Sequence, residues 1–117
     1  MKYNYVLPVV FSSLLSALIQ TNVYANEGDW VFGDWVTPNG DTVLRVTNLH
    51  GMSVYLHRAL DSGLKDRMNP DSELSNRELN HLLLGSGFEL VDGVWKNSSL
   101  YDPGTGNTYQ IQIERQN

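Results

Sequence analysis

The chain has 117 residues, with 8 Lys+Arg against 13 Asp+Glu (net −5 at pH 7), 41% hydrophobic residues and no cysteine. That length holds one small domain, and so acidic a chain is a poor phosphate binder, which excludes nucleic acid as an expected partner. Absence of cysteine excludes a disulfide scaffold, a thiolate metal site, a Cys nucleophile and a lipid-anchored N-terminal Cys.

Met1–Tyr5 carries one basic side chain, Lys2, ahead of a 14-residue apolar stretch over Val6–Ile19. Polar Gln20-Thr21-Asn22 follows, and Val23-Tyr24-Ala25 has small residues at the two positions that signal peptidase reads. This three-part pattern predicts a cleavable signal peptide over residues 1–25, and hence a periplasmic or secreted protein. The stretch falls short of the roughly 20 apolar residues a spanning helix needs. No second one approaches it, so no integral membrane span is expected after cleavage. Residues 26–117 then form one domain of 92 residues, with seven bases against 13 acids. A chain of that size buries only about 60–65% of its unfolded surface, so it folds with little margin.

Short period-two runs separated by turn residues predict a mainly β domain. Trp30–Val36 reads as the first strand, and Thr37-Pro38-Asn39-Gly40-Asp41 as a tight turn, with Asn-Gly accepting positive φ. Thr42–Asn48 alternates, with Leu44 and Val46 on one face; Met52–Arg58 does so again through Met52, Val54 and Leu56. The period breaks over Asp61–Asn80, a long polar loop in which Ser72–Leu79 suits a short helix capped by Asp71 or Ser72. Strands return at His81–Leu90, at Val94–Tyr101 after Asp92-Gly93, and at Thr108–Arg115 after the turn Asp102–Asn107. Six strands result, mostly joined as hairpins.

Several segments, in order, resemble a known group. They are Gly33-Asp34-Trp35, Asp66-Arg67-Met68-Asn69-Pro70-Asp71, Ser75-Asn76-Arg77-Glu78-Leu79 and Leu84-Gly85-Ser86-Gly87-Phe88. Asp92-Gly93-Val94-Trp95-Lys96 and Tyr101-Asp102-Pro103-Gly104-Thr105-Gly106-Asn107-Thr108-Tyr109 complete the set. Together they resemble the exported bacterial domain of unknown function family 2147, from about Gly33 to Ile113. The resemblance implies an antiparallel lipocalin-like barrel and a role in binding a small apolar molecule, with no established activity. Members usually continue through a further hairpin ending near Trp-x-Arg, whereas this sequence stops at Asn117. The expected barrel is therefore incomplete, with about six strands, and a sheet left open has two unpaired edges.

The inward faces would carry Trp35, Leu44, Val46, Val54, Leu56, Trp95, Tyr109, Ile111 and Ile113. Small barrels are commonly filled by such side chains, while about eight strands can just enclose one small ligand. Core packing and a ligand cavity thus stay open as readings. In the second, Trp35 and Trp95 are aromatic walls and the Asp61–Asn80 loop is a lid. His50, His57 and His81 lack zinc-helix spacing, and no Gly-x-Ser-x-Gly elbow or paired catalytic carboxylates stand out, so no catalytic residue, metal or cofactor is expected. Asp66, Asn69, Asp71 and Glu73 crowd one loop with oxygen, but turns and caps require the same residues. The mixed charges from Asp61 to Glu78 suit a solvated face or a recognition loop. The leading expectation is non-catalytic binding of a small, moderately apolar ligand. The alternative is an interaction module whose open edge pairs with a second copy or a partner strand.

Overall fold

A strand with one apolar face gains nothing until that face is covered, and here the sheet covers it by curling on itself. The computed structural model describes residues 4–5, 14–17, 27–38, 40–49, 51–59 and 63–115. Ala25 at the expected cleavage site, Asn39, His50 and Asp61 lie outside the described residues. The strands are β1 (Asn4–Tyr5), β2 (Leu14–Ala17), β3 (Gly33–Val36), β4 (Val43–Thr47), β5 (Met52–Arg58), β6 (Leu82–Val91), β7 (Val94–Asp102) and β8 (Asn107–Arg115). Their order in the sheet is β1-β3-β4-β5-β6-β7-β8-β2. Strands β3 to β8 run antiparallel in chain order. The short strands β1 and β2 lie parallel against β3 and β8. Because β3 and β8 do not pair with each other, the six antiparallel strands form a curled half-barrel and not a closed one.

The curl has its origin in β6. Its first half pairs with β5, from Leu82↔Leu56 to Phe88↔Met52, and its second half with β7, from Glu89↔Lys96 to Val91↔Val94. Within the first half lie Gly85, Ser86 and Gly87, and the β5–β6 register shifts twice beside them. A Cβ on Gly85 would collide with the Ser99 carbonyl oxygen, so β7 can cross β6 only where the side chain is absent. Ser98 Oγ donates to the Ser86 carbonyl at 2.6 Å across the same crossing. The Leu-Gly-Ser-Gly-Phe segment is therefore the fold line of the sheet.

The predicted strands stand, with two corrections. Trp30–Val36 does not start as a strand: Asp29–Val31 is a 3₁₀ turn, and β3 begins at Gly33. A strand sends adjacent side chains to opposite faces, yet Trp30 and Val31 are 1% and 2% exposed, and only a turn tucks both inward. Gly33, at φ 128°, then redirects the chain into β3. Ser72–Leu79 is no helix either, but a chain of turns with Leu74 N–H on Asp71 O, Ser75 N–H on Ser72 O and Arg77 N–H on Leu74 O. Asn69 Oδ1 accepts from Asp71 N–H and Asp71 Oδ1 from Glu73 N–H, while Asp66 N–H on Arg77 O and Leu79 N–H on Leu64 O draw the end of the segment into a ladder in place of a helix.

Trp30, Val31, Trp35, Val46, Met52, Val54, Phe88, Leu100, Ile111 and Ile113 form the core, with Phe32, Leu44, Leu84, Trp95 and Tyr109 packed against it. The 3₁₀ segment plugs one end of the half-barrel. Trp30 and Trp35 meet edge to face at 6.3 Å, and Trp35 Nε1–H donates to the Val31 carbonyl at 2.6 Å. Trp95 Nε1–H reaches the Gly28 carbonyl at 3.1 Å and packs on Phe32. Gly85→Ala should force β6 and β7 apart and cost about 1–3 kcal/mol. The check is a lower urea midpoint at an unchanged slope.

Candidate functional site

At the end opposite the plug, the half-barrel holds a cavity of about 360 Å³. Four leucines from successive strands wall it: Leu44 on β4, Leu56 on β5, Leu84 on β6 and Leu100 on β7. Leu64 and Leu79 reach in from the long loop, Ala59 follows β5, and Thr37 and Thr42 close one side at the β3–β4 turn. Tyr101, Asp102, Pro103 and Gly104 form the remaining side at the β7–β8 turn. Its surface is thus apolar with a polar margin at the two turns.

Of the residues expected to face inward, Leu44 and Leu56 line this cavity. Trp35, Val46, Val54, Ile111 and Ile113 lie in the core, and Trp95 and Tyr109 pack against it without reaching the lining. Leu84, Leu100, Tyr101 and the loop leucines do line it, and alternation on the early strands could not point to them. The signal was present in the breaks of pattern, Leu64 and Leu79 being apolar residues inside a polar loop.

The loop is held over this end by a buried carboxylate. Asp66 is 0% exposed, so it is not part of a solvated charged face. Tyr101 donates to its Oδ1 at 2.6 Å, while Asn69 Nδ2 and Arg77 Nε donate to its Oδ2 at 2.8 and 2.9 Å. The Arg77 guanidinium also lies 5.7 Å from the centre of the Tyr101 ring. Burial opposes charge on Asp66, but the bonds from Tyr101, Asn69 and Arg77 outweigh it and hold the carboxyl below its ordinary value. The same burial, with the Asp66 bond, pushes the Tyr101 phenol up to about 12. A short ladder closes the loop on itself, with Asp66 N–H on Arg77 O and Leu79 N–H on Leu64 O. On the far side Gly106 abuts the Met68 carbonyl so closely that a Cβ would collide with it.

The side-chain oxygens of Asp66, Asn69 and Asp71 are thus committed to protein partners. Asp66, Asn69 and Asp71 each accept a hydrogen bond within the loop or from β7. His57 and His81 meet ring to ring at 5.6 Å. Among the described residues no group of three or more His, Asp or Glu side chains is arranged to hold a metal ion. Nor is any helix among them long and apolar enough to cross a membrane.

Residues 33–117 match the family described as "Uncharacterized protein conserved in bacteria (DUF2147)". The chain belongs to this family. Among solved structures, this DUF2147 chain is similar to one reported as "Protein HP1028 from the human pathogen Helicobacter pylori belongs to the lipocalin family". The TM-score is 0.56 at 19% identity, over 64% of this chain and 54% of that one, about half its length. At that identity the likeness is one of fold, and the DUF2147 half-barrel is lipocalin-like. No curated protein matches the chain in sequence.

Asp66→Asn should lower stability by about 1–3 kcal/mol, less than stripping a fully buried ion pair, because Arg77 is 35% exposed and can rehydrate. The carboxyl is depressed on folding, so its stabilisation is full above the unfolded value near 3.9 and fades as pH falls through the lower folded one. Urea unfolding of both proteins across that range should show the gap between them largest above about pH 4 and shrinking below it.

Proposed function

We propose that this protein binds a small, moderately apolar ligand in the cavity beneath the loop, without chemical turnover. One observation carries the reading: a cavity of about 360 Å³, walled by Leu44, Leu56, Leu84 and Leu100, at the open end of a lipocalin-like half-barrel. Ligand sites are typically concave, mainly apolar, of about 300–1,000 Å³, with a few polar groups at the margin. Leu64 and Leu79 give the loop a part in the wall, so it acts as lid and lining together. In this reading the aromatic residues Trp35 and Trp95 hold the fold, and the leucines do the binding.

The uncharged dye N-phenyl-1-naphthylamine should brighten on binding and be displaced by uncharged apolar competitors. Leu84→Trp, which fills the cavity, should weaken that binding by about tenfold or more while circular dichroism stays native. Equal dye binding by both proteins would place the ligand elsewhere.

The open sheet favours a second reading, in which β3 or β8 adds a strand from another copy. Removal of residues 1–25 as an export signal would take β1 and β2 from those two edges. Support for export is the sequence pattern of the first 25 residues. Mass spectrometry of the exported protein should then find an N-terminus at Asn26. Light scattering of residues 26–117 over a wide concentration range should show a dimer if the edges pair and a monomer if they do not.

A further inference from the structure

The cavity's polar margin gives away its hydrogen atoms and keeps its negative charge. Thr37 and Thr42 both turn their hydroxyls to Asp41 Oδ1, at 3.3 and 3.2 Å. Tyr101 donates to Asp66, outside the lining, and Gly104 N–H donates to Asp102 Oδ1 at 2.9 Å. Each of these donors already serves a carboxylate of the protein. Their hydrogens are thus engaged within the protein, and Thr37 Oγ1 also accepts from Thr42 N–H at 3.2 Å.

Among the described residues, Asp102 is the one charged residue in the lining, and none of those that line it is Lys, Arg or His. Its carboxylate accepts from Gly104 N–H and, at 3.2 Å, from Thr105 Oγ1, both neutral donors. The ion pairs among the described residues are Arg45–Asp34, Lys65–Glu78 and Arg77–Asp66, none of which involves Asp102. Arg77, the cation beside Tyr101, gives its Nε to Asp66 and lies over the Tyr101 ring.

We propose that the cavity selects amphiphiles with a cationic or hydroxyl head group and rejects those ending in a carboxylate. This rests on the reading of the cavity as a ligand site. An alkyl chain would lie among the leucines, with its head group at the Thr37–Asp102 margin. An ammonium or hydroxyl head brings the hydrogen-bond donor the margin lacks, and an ammonium also gains from the Asp102 charge. A fatty-acid carboxylate brings only further lone pairs and meets Asp102 as a like charge, so its desolvation is uncompensated.

The test compares dodecylamine, dodecanol and dodecanoate as displacers of N-phenyl-1-naphthylamine from the 117-residue chain. All are kept below micellar concentration at about pH 7.5, where the amine is protonated and the acid ionised. Dodecylamine and dodecanol should each bind about tenfold or more tightly than dodecanoate. Asp102→Asn keeps an oxygen to accept from Gly104 N–H, and should bring dodecanoate to within about threefold of dodecanol while weakening dodecylamine. Dodecanoate binding as tightly as the other two would overturn the selectivity and leave the ligand site standing. Selectivity unchanged in Asp102→Asn would overturn the assignment to that carboxylate. Failure of the dye and all three amphiphiles to bind would overturn the ligand site itself, and the selectivity with it.

Discussion

One buried carboxylate decides whether this half-barrel has a roofed end. Asp66 lies in a loop that has no helix or regular strand of its own and few apolar side chains to anchor it. A charge with no exposure at all is tolerable only if its lone pairs are filled. Tyr101 fills one side from β7, while Asn69 and Arg77 fill the other from within the loop. The loop's fold and its docking on the sheet are thus one hydrogen-bond network. Leu64 and Leu79 reach the cavity because the ladder beside Asp66 holds their backbones together.

The two ends of the sheet are built by different means. At one, apolar bulk plugs the half-barrel: Trp30 and Val31 are driven in by a 3₁₀ turn, Trp35 Nε1–H satisfies the Val31 carbonyl, and Trp95 Nε1–H adds a second bond to the Gly28 carbonyl. At the other, polar bonding suspends a roof over space that leucines line and do not fill. Core packing and an open cavity, which the sequence left as alternatives for one set of residues, coexist in the same half-barrel and meet at Leu44, Leu84 and Leu100.

Strand positions were legible because alternation survives on β4, β5 and β8, and because turn chemistry is local: Asp92-Gly93 makes a two-residue hairpin, with φ of 51° and 81°. The site was less so. Trp35 and Trp95 have the size and spacing of cavity walls, but their direction is set by carbonyls of Val31 and Gly28, on a turn that alternation misreads as strand. Asp66 sits in a run of mixed charges, and nothing in the run singles it out. What could have done so is the pair of motifs Asp-x-x-Asn-Pro-Asp and Tyr-Asp-Pro, 35 residues apart from Asp66 to Tyr101, which bury each other's polar groups. Long-range complementarity of that kind leaves no period to read. The helix expected over Ser72–Leu79 has the cap it needs, Asp71 Oδ1 on Glu73 N–H, but the backbone continues only in three-residue turns and then pairs Leu79 N–H with Leu64 O.

The placement of the tryptophans has an optical consequence. Trp30, Trp35 and Trp95, the whole tryptophan complement of the chain, gather at the plugged end. Their emission is therefore a gauge of whether the plug is seated, and a ligand entering under the loop at the far end would pass largely unseen by it. A silent fluorescence titration would be a statement about where the chromophores sit, and the folded state could be followed through the same signal without interference from whatever the cavity holds.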